Sequence, residues 1–243
     1  MKSYVLTSLL ASFAFLGACG GGGSSGSASP APGPAPAPGP SGATYNALAA
    51  WTNLLSTTRS WTVNGQGSDG LAYQLSLAVE PGGAAVFPVT GASAVKSNFR
   101  NRLMQQATAV QDVLNEQFID AQYRLLGSRV STDGGAPRCS KTDVIAALPQ
   151  PGVAVGATGP LYAATTLSDC SAGAVPLGTS YHTWSVREEL GVVFLCVASS
   201  NRFLSETTDR LSETCIETDA AGNLGQRARI QLTLPGFSVT ATN

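Results

Sequence analysis

Leu71-Ala72-Tyr73-Gln74-Leu75-Ser76-Leu77-Ala78-Val79 alternates large apolar residues with small or polar ones along its whole length. A period of two puts the first set on one face of a strand and the second on the other, so one face is buried and the other wet. Ser60 to Gln66 before it reads as a second strand, ended by Gly67-Ser68-Asp69-Gly70, and Glu80-Pro81-Gly82-Gly83 after it reads as another turn. Strands joined by such short turns are antiparallel neighbours, which makes a meander. Toward the other end, Ala228, Ile230, Leu232 and Leu234 alternate with Arg227, Arg229, Gln231 and Thr233, and Pro235-Gly236 turns the chain into Phe237 to Thr242. Short strands with turns at this spacing predict a mainly β domain, an antiparallel meander forming a sandwich or barrel.

Between these ends the hairpin pattern places the cysteines. Thr142 to Leu148 and Pro160 to Leu167 are apolar runs separated by turn residues, so Cys139 and Cys170 fall at the open end of one hairpin. Val192 to Ser199 and Leu211 to Thr218 flank the polar connection Ser200 to Arg210, which brings Cys196 opposite Cys215. Residues equidistant from a turn face each other, so the expected disulfides are Cys139–Cys170 and Cys196–Cys215. Chain entropy does not choose among pairings, since closing loops of these lengths contributes roughly 3–5 kcal/mol each. No two cysteines lie close in sequence, and the one histidine, His182, cannot complete a Cys/His site of familiar spacing. No metal and no cofactor is expected.

Two segments follow a helical period. Thr44 to Thr57 spaces Tyr45, Leu48, Trp51, Leu54 and Leu55 at threes and fours, with Thr44 placed as a cap, which predicts one short N-terminal helix. In residues 95–121, Phe99, Leu103, Ala107, Val110, Leu114, Phe118 and Ala121 also recur at threes and fours, which by periodicity is a helix. The stretch Phe118 to Ser128, however, resembles a strand-turn-strand motif of β-rich bacterial lipoproteins of unassigned function. A similar Asp-Ala-x-x-x-Leu turn recurs at Asp219 to Leu224. The resemblance implies a hairpin. The residues alone leave 95–121 ambiguous between hairpin and helix, and the hairpin is the expectation followed here.

The amino-terminal end carries the addressing signals. Lys2 is followed by an uncharged, mostly apolar run from Tyr4 to Leu16, the layout of a secretory signal peptide. The run falls short of the about 20 apolar residues that a membrane-spanning helix needs. Leu16-Gly17-Ala18-Cys19 ends it and resembles the lipobox of bacterial lipoprotein precursors. That resemblance implies removal of residues 1–18, lipidation of Cys19 and, with Gly20 rather than Asp following, sorting to the outer membrane of a Gram-negative cell. Each buried CH₂ of an acyl chain contributes about 0.8 kcal/mol, so two or more chains anchor a protein stably without a span. Residues 19–43 then form a Gly/Ser and Pro/Ala/Gly tether. Its proline-rich part reaches roughly 30–40 Å at about 3.1 Å per residue. Residues 44–243 are the expected single β-rich domain.

Composition removes some function classes. From Cys19 onward thirteen Lys and Arg face fifteen Asp and Glu, scattered and nearly balanced, so nothing like the basic face of a nucleic-acid binder is present. Charged residues are only 12%, which suits an exported β protein. A serine hydrolase needs a base beside its nucleophile, and His182 alternates with Trp184 and Val186 as a strand histidine at the edge of the core. Candidate carboxylate pairs are Glu188-Glu189, Glu116 with Asp120, and Asp209 with Glu213. Their expected place is the wet face of strands and loops. Trp51, Trp61, Trp184, Tyr73 and Tyr162 either line a ligand groove or fill the core.

The expected function is that of a lipid-anchored, non-enzymatic structural or binding module of the cell envelope. It would be held to the membrane through acylated Cys19 and face a protein or lipid partner. The alternative is a lipid or small-molecule carrier whose barrel interior stays open; a hydrolase is third. Replacing Cys19 by Ser should move the protein from the membrane to the soluble fraction on cell fractionation, and a variant that still pellets with membranes would refute the anchor.

Overall fold

The alternation at Leu71–Val79 becomes a strand of a closed barrel in the computed structural model, which describes residues 42–132 and 135–243. The expectations for the signal run, the Cys19 anchor and the tether up to Ser41 lie outside the described residues. In chain order the elements are β1 (Thr44–Tyr45), α1 (Ala47–Ser56), β2 (Arg59–Gly67), β3 (Ala72–Val86), β4 (Ser93–Gln105), β5 (Thr108–Ile119) and β6 (Leu125–Thr132). There follow β7 (Arg138–Ile145), β8 (Val153–Ala154), β9 (Thr158–Leu167), β10 (Pro176–Glu189), β11 (Val192–Phe203), β12 (Arg210–Thr218), β13 (Leu224–Leu234) and β14 (Phe237–Thr242). Each long strand pairs antiparallel with the next, β7 pairs with β9, and β14 returns to β2, which closes a ring of twelve. β1 and β8 form a separate two-stranded ladder. The sandwich-or-barrel alternative thus resolves to a barrel.

The faces follow the sequence period. Trp61, Val63, Tyr73, Leu75, Leu77 and Val79 point inward and are buried, whereas Ser60, Thr62, Asn64 and Gln66 are exposed outside. Arg100, Arg102, Arg187 and Arg229 also lie on the outer surface, in ion pairs with carboxylates. A membrane-spanning barrel needs the inverse arrangement, an outward apolar band.

Several local expectations are corrected. Glu80 to Gly83 is a bulge inside β3: Pro81 still faces Ser97, Ala84 faces Val95, and the real turn comes at Phe87 to Ala92. Proline lacks an N–H, and a bulge tolerates that gap without ending the ladder. The helix is capped by Asn46, whose Oδ1 accepts from Ala49 N at 3.0 Å, and not by Thr44, which lies in β1. Its buried face is Ala47, Ala50, Trp51, Leu54 and Leu55, with Tyr45 outside the helix. Residues 95–121 form the β4–β5 hairpin, turned at Gln106 and Ala107 with φ of 47° and 65°. Two successive positive φ angles are the mark of a type I′ turn. The helical stripe was accidental: Phe99 and Leu103 point into the barrel, but Leu114 is exposed outside and Phe118 packs on Phe87.

Both disulfides lie on the outer wall. Cys196 and Cys215 are direct register partners on β11 and β12, and Cys139 at the start of β7 joins Cys170 in the loop after β9. Both expected pairs are present; register sets Cys196 opposite Cys215, whereas on β7 and β9 it sets Ser140 opposite Thr166 and the loop beyond β9 carries Cys170 back to Cys139.

The helix fills one end of the barrel, held by two turns of the same design. Asp120 and Asp219 open them; Asp120 N donates to Arg124 O at 2.9 Å and Asp219 N to Asn223 O at 3.0 Å. Each aspartate Oδ1 accepts from the N–H four residues on, at 3.0 Å and 2.8 Å. The fourth residue of each has positive φ, 61° at Tyr123 and 89° at Gly222. The carbonyl of that same residue holds the helix: Trp51 Nε1 donates to Tyr123 O at 3.1 Å, and Asn53 Nδ2 to Gly222 O at 2.9 Å.

The interval from Asp120 to Asp219 is also the interval between the first residues of β2 and β9, of β4 and β11, of β6 and β13, and of β7 and β14. The barrel is therefore two six-stranded halves, and the two turns sit on opposite sides of one rim. A Cβ on Gly222 would lie 2.6 Å from Asn46 O and 2.7 Å from Ala50 N, whereas one on Gly173 would meet nothing. Gly222→Ala should lower stability by about 2 kcal/mol or more. Gly173→Ala should stay within about 0.5 kcal/mol of the parent. Urea unfolding with the disulfides intact measures both.

Candidate functional site

The helix stops short of filling the barrel. Between Trp51 and Leu54, which form a floor, and the turns of the opposite end lies a cavity of about 460 Å³. One wall, from β4 to β6, presents the amides Asn101, Gln111, Asn115 and Gln117 together with Ser128. The facing wall, from β9 to β12, presents Tyr162, His182, Ser180, Ser199, Asn201 and Ser212. Leu75, Phe99 and Leu232 add apolar surface between them. Among the described residues no carboxylate lines it. Arg102 adjoins the space between the inward residues Asn101 and Leu103, but its own guanidinium points to the outer surface, bound to Asp112 at 2.7 Å.

Local irregularity sets the key side chains. The register of β10 against β9 shifts between His182 and Thr183, leaving His182 directly opposite Tyr162. Their rings stack with centroids 4.0 Å apart and planes 19° from parallel. Burial pushes the imidazole down to about 4 and raises the phenol, so both are neutral at physiological pH. A neutral imidazole offers one donor and one acceptor. Beside it the hydroxyls of Ser199 and Ser212, also register partners, share a 2.8 Å hydrogen bond, and Asn201 Nδ2 donates to Ser199 at 3.1 Å. Across the cavity Asn115 Oδ1 and Gln117 Oε1 are buried without a partner.

The acids singled out from the sequence are elsewhere. Glu116 sits on the outer wall between Lys96, at 2.6 Å, and Arg129. Burial alone would raise its carboxyl, but the bonds to Arg129 and Lys96 outweigh that and hold it low. Asp120 is used in its turn and bound to Arg124. Glu189 and Glu213 share Arg229, Asp209 binds Arg202 and Ser200, and Glu188 lies at the plugged end of β10 opposite Val193. Glu116, Asp120, Glu189, Asp209 and Glu213 are thus drawn to separate partners on the outer surface, whereas Glu188 Oε2 is buried without a partner. Among the described residues His182 hydrogen-bonds to no serine and no carboxylate, and no cluster of His, Cys, Asp and Glu suited to a metal occurs. Of the aromatic candidates, Trp51 and Tyr162 reach the cavity, while Trp61, Tyr73 and Trp184 belong to the packed core.

The amides and serines of the cavity are what sequence reasoning missed. Gln111, Val113, Asn115 and Gln117 do share the alternating face of β5, and that polar face within a barrel strand was the available signal. Compared with protein-family models, curated proteins and solved structures, the chain finds no match.

The buried imidazole makes a pH prediction. The unfolded histidine takes up a proton near pH 6.5 and the folded one only near 4, so the unfolded state binds more protons between those values. Stability is full above about pH 6.5 and falls as pH drops toward 4. His182→Gln should remove that slope, and the imidazole proton signals of the parent should hold steady from pH 8 to 5 by NMR. Titration near pH 6.5 would contradict the buried site.

Proposed function

We propose that this chain is a lipid-anchored, non-enzymatic binding barrel of the bacterial cell envelope, a small-molecule carrier or receptor whose ligand occupies the interior cavity. The observation that carries this reading is the cavity itself. Small-molecule sites span roughly 300–1,000 Å³ and combine apolar walls with a few converging polar groups, and this space has both properties. The lipobox resemblance at Leu16 to Cys19 and the two disulfides support an exported location. The described chain reaches the barrel at the plugged end, through β1 and α1, so a tether from a membrane would attach there. Ligand would then exchange through the opposite end, away from the anchor.

A second reading, docking of a protein partner, is favoured by a groove on the outer wall from β10 to β13. Tyr181 and Leu211 stand in it, 62% and 47% exposed, beside Arg187, Glu213 and Arg229.

Ala164 lines the cavity from β9, and Ala164→Trp would fill much of it. Native mass spectrometry of the mature protein from its host should show a small-molecule adduct. The adduct should be missing from a folded Ala164→Trp variant, with Val197→Phe as a milder filling. An adduct that survives both would move the binding site to the outer groove.

A further inference from the structure

Resting on that reading of the cavity, we infer that its ligand is an uncharged, hydroxyl-rich molecule of sugar or polyol type, held between Asn115 and Gln117 on one wall and the Ser199–Ser212 pair with His182 on the other. Three classes of occupant compete for such a space, and the lining separates them.

An acyl chain matches only part of it. Trp51, Leu54 and Phe99 would accept hydrocarbon, but an apolar ligand would set the polar lining of Asn101, Gln111, Asn115, Gln117 and Asn201 against hydrocarbon. Such groups are strongly disfavoured when nothing replaces water on them. A charged ligand fits no better. Among the described residues no carboxylate faces the space, Arg102 is committed to Asp112, and His182 is held neutral, so an ion would enter without a counter-charge.

Hydroxyl groups meet every requirement. A hydroxyl both donates and accepts, so it satisfies a carboxamide presented by either end and also joins a serine pair by extending its chain of hydrogen bonds. Ser199 Oγ already bonds Ser212 at 2.8 Å and receives from Asn201 at 3.1 Å, which orients that chain. The C–H face of a sugar ring is apolar and would rest on Trp51 and Phe99 at the floor. Trp51 is fixed there by its bond to Tyr123 O.

The test is calorimetric titration and thermal shift of the mature protein with glucose, maltose and N-acetylglucosamine, with glucuronate as charged isostere and palmitate as acyl probe. At least one neutral saccharide should bind saturably and raise Tm, glucuronate should bind at least tenfold more weakly, and palmitate should be silent. Asn115→Leu and the near-isosteric Gln117→Met should each weaken that saccharide at least tenfold. The ligand-free variants should be as stable as the parent or more so, because each loses an unpartnered buried group. A merely structural role would instead lower ligand-free stability. Palmitate binding that Ala164→Trp abolishes, with all saccharides silent, would overturn the ligand class and leave the carrier reading standing. Silence of every probe, together with no co-purified adduct, would overturn both.

Discussion

A closed ring of twelve strands encloses more space than its own side chains can fill. Eight strands already give an interior just wide enough for packed side chains or one small ligand, and the diameter grows with strand number. This sequence meets the excess with α1, which carries Trp51, Leu54 and Leu55 into one end. Each such side chain contributes roughly 1.5–3 kcal/mol on full burial. Ten residues of helix fill only that end, and the remainder is the cavity. Plug and binding space are therefore two consequences of one geometric constraint.

The plug is asymmetric, but its socket is nearly symmetric. Two Asp-Ala turns, six strands apart in the ring, present the same carbonyl to the helix from opposite sides, to Trp51 on one and Asn53 on the other. The half-barrel interval that relates the turns relates most of the strands as well. The ring is closed where β14 meets β2, over Asn64 to Gly67 and Val239 to Thr242 only. Gly65 allows that closeness, since a Cβ there would run into the backbone of Thr240 and Ala241. The long ladder between β10 and β11, with a disulfide one strand further on, lies well away from this short seam.

What the sequence disclosed, and what it hid, follows from the same interior. Leu71 to Val79 and Ala228 to Leu234 were legible because their inward faces meet packed core or its margin, so hydrophobicity alternates cleanly. Hairpin counting placed Cys196 opposite Cys215 because register is a matter of arithmetic between turns. Residues 95–121 were illegible on their own. The inward residues Asn115 and Gln117 are polar because they face the cavity, while Phe118 is apolar on the outside because Phe87 covers it. Patterning assumes an apolar inside, and that assumption fails where inward side chains line a polar cavity. The turn at Gln106-Ala107 gave no warning either, lacking the Asn-Gly or Asp-Gly that normally marks positive φ. The alternation of His182 with Trp184 and Val186 places it at the edge of the core, but nothing in its sequence neighbours reveals the register shift that stacks it on Tyr162.

That failure of patterning bears on function. Folding alone would favour leucine at positions 115 and 117, since an unpartnered buried amide costs about 1–3 kcal/mol and an apolar isostere does not. The outer wall already supplies solubility through its arginine–carboxylate pairs, so polarity inside is not needed for that. Nor do the lumen amides position the helix, which is held by backbone carbonyls of the rim. Departures from local consistency concentrate where a protein gives up stability for activity. In this barrel two such departures, Asn115 and Gln117, lie side by side on one wall of the cavity, while Ser97, Asn98, Thr142 and Glu188 lie elsewhere; the pair at the cavity borders the space a ligand would occupy.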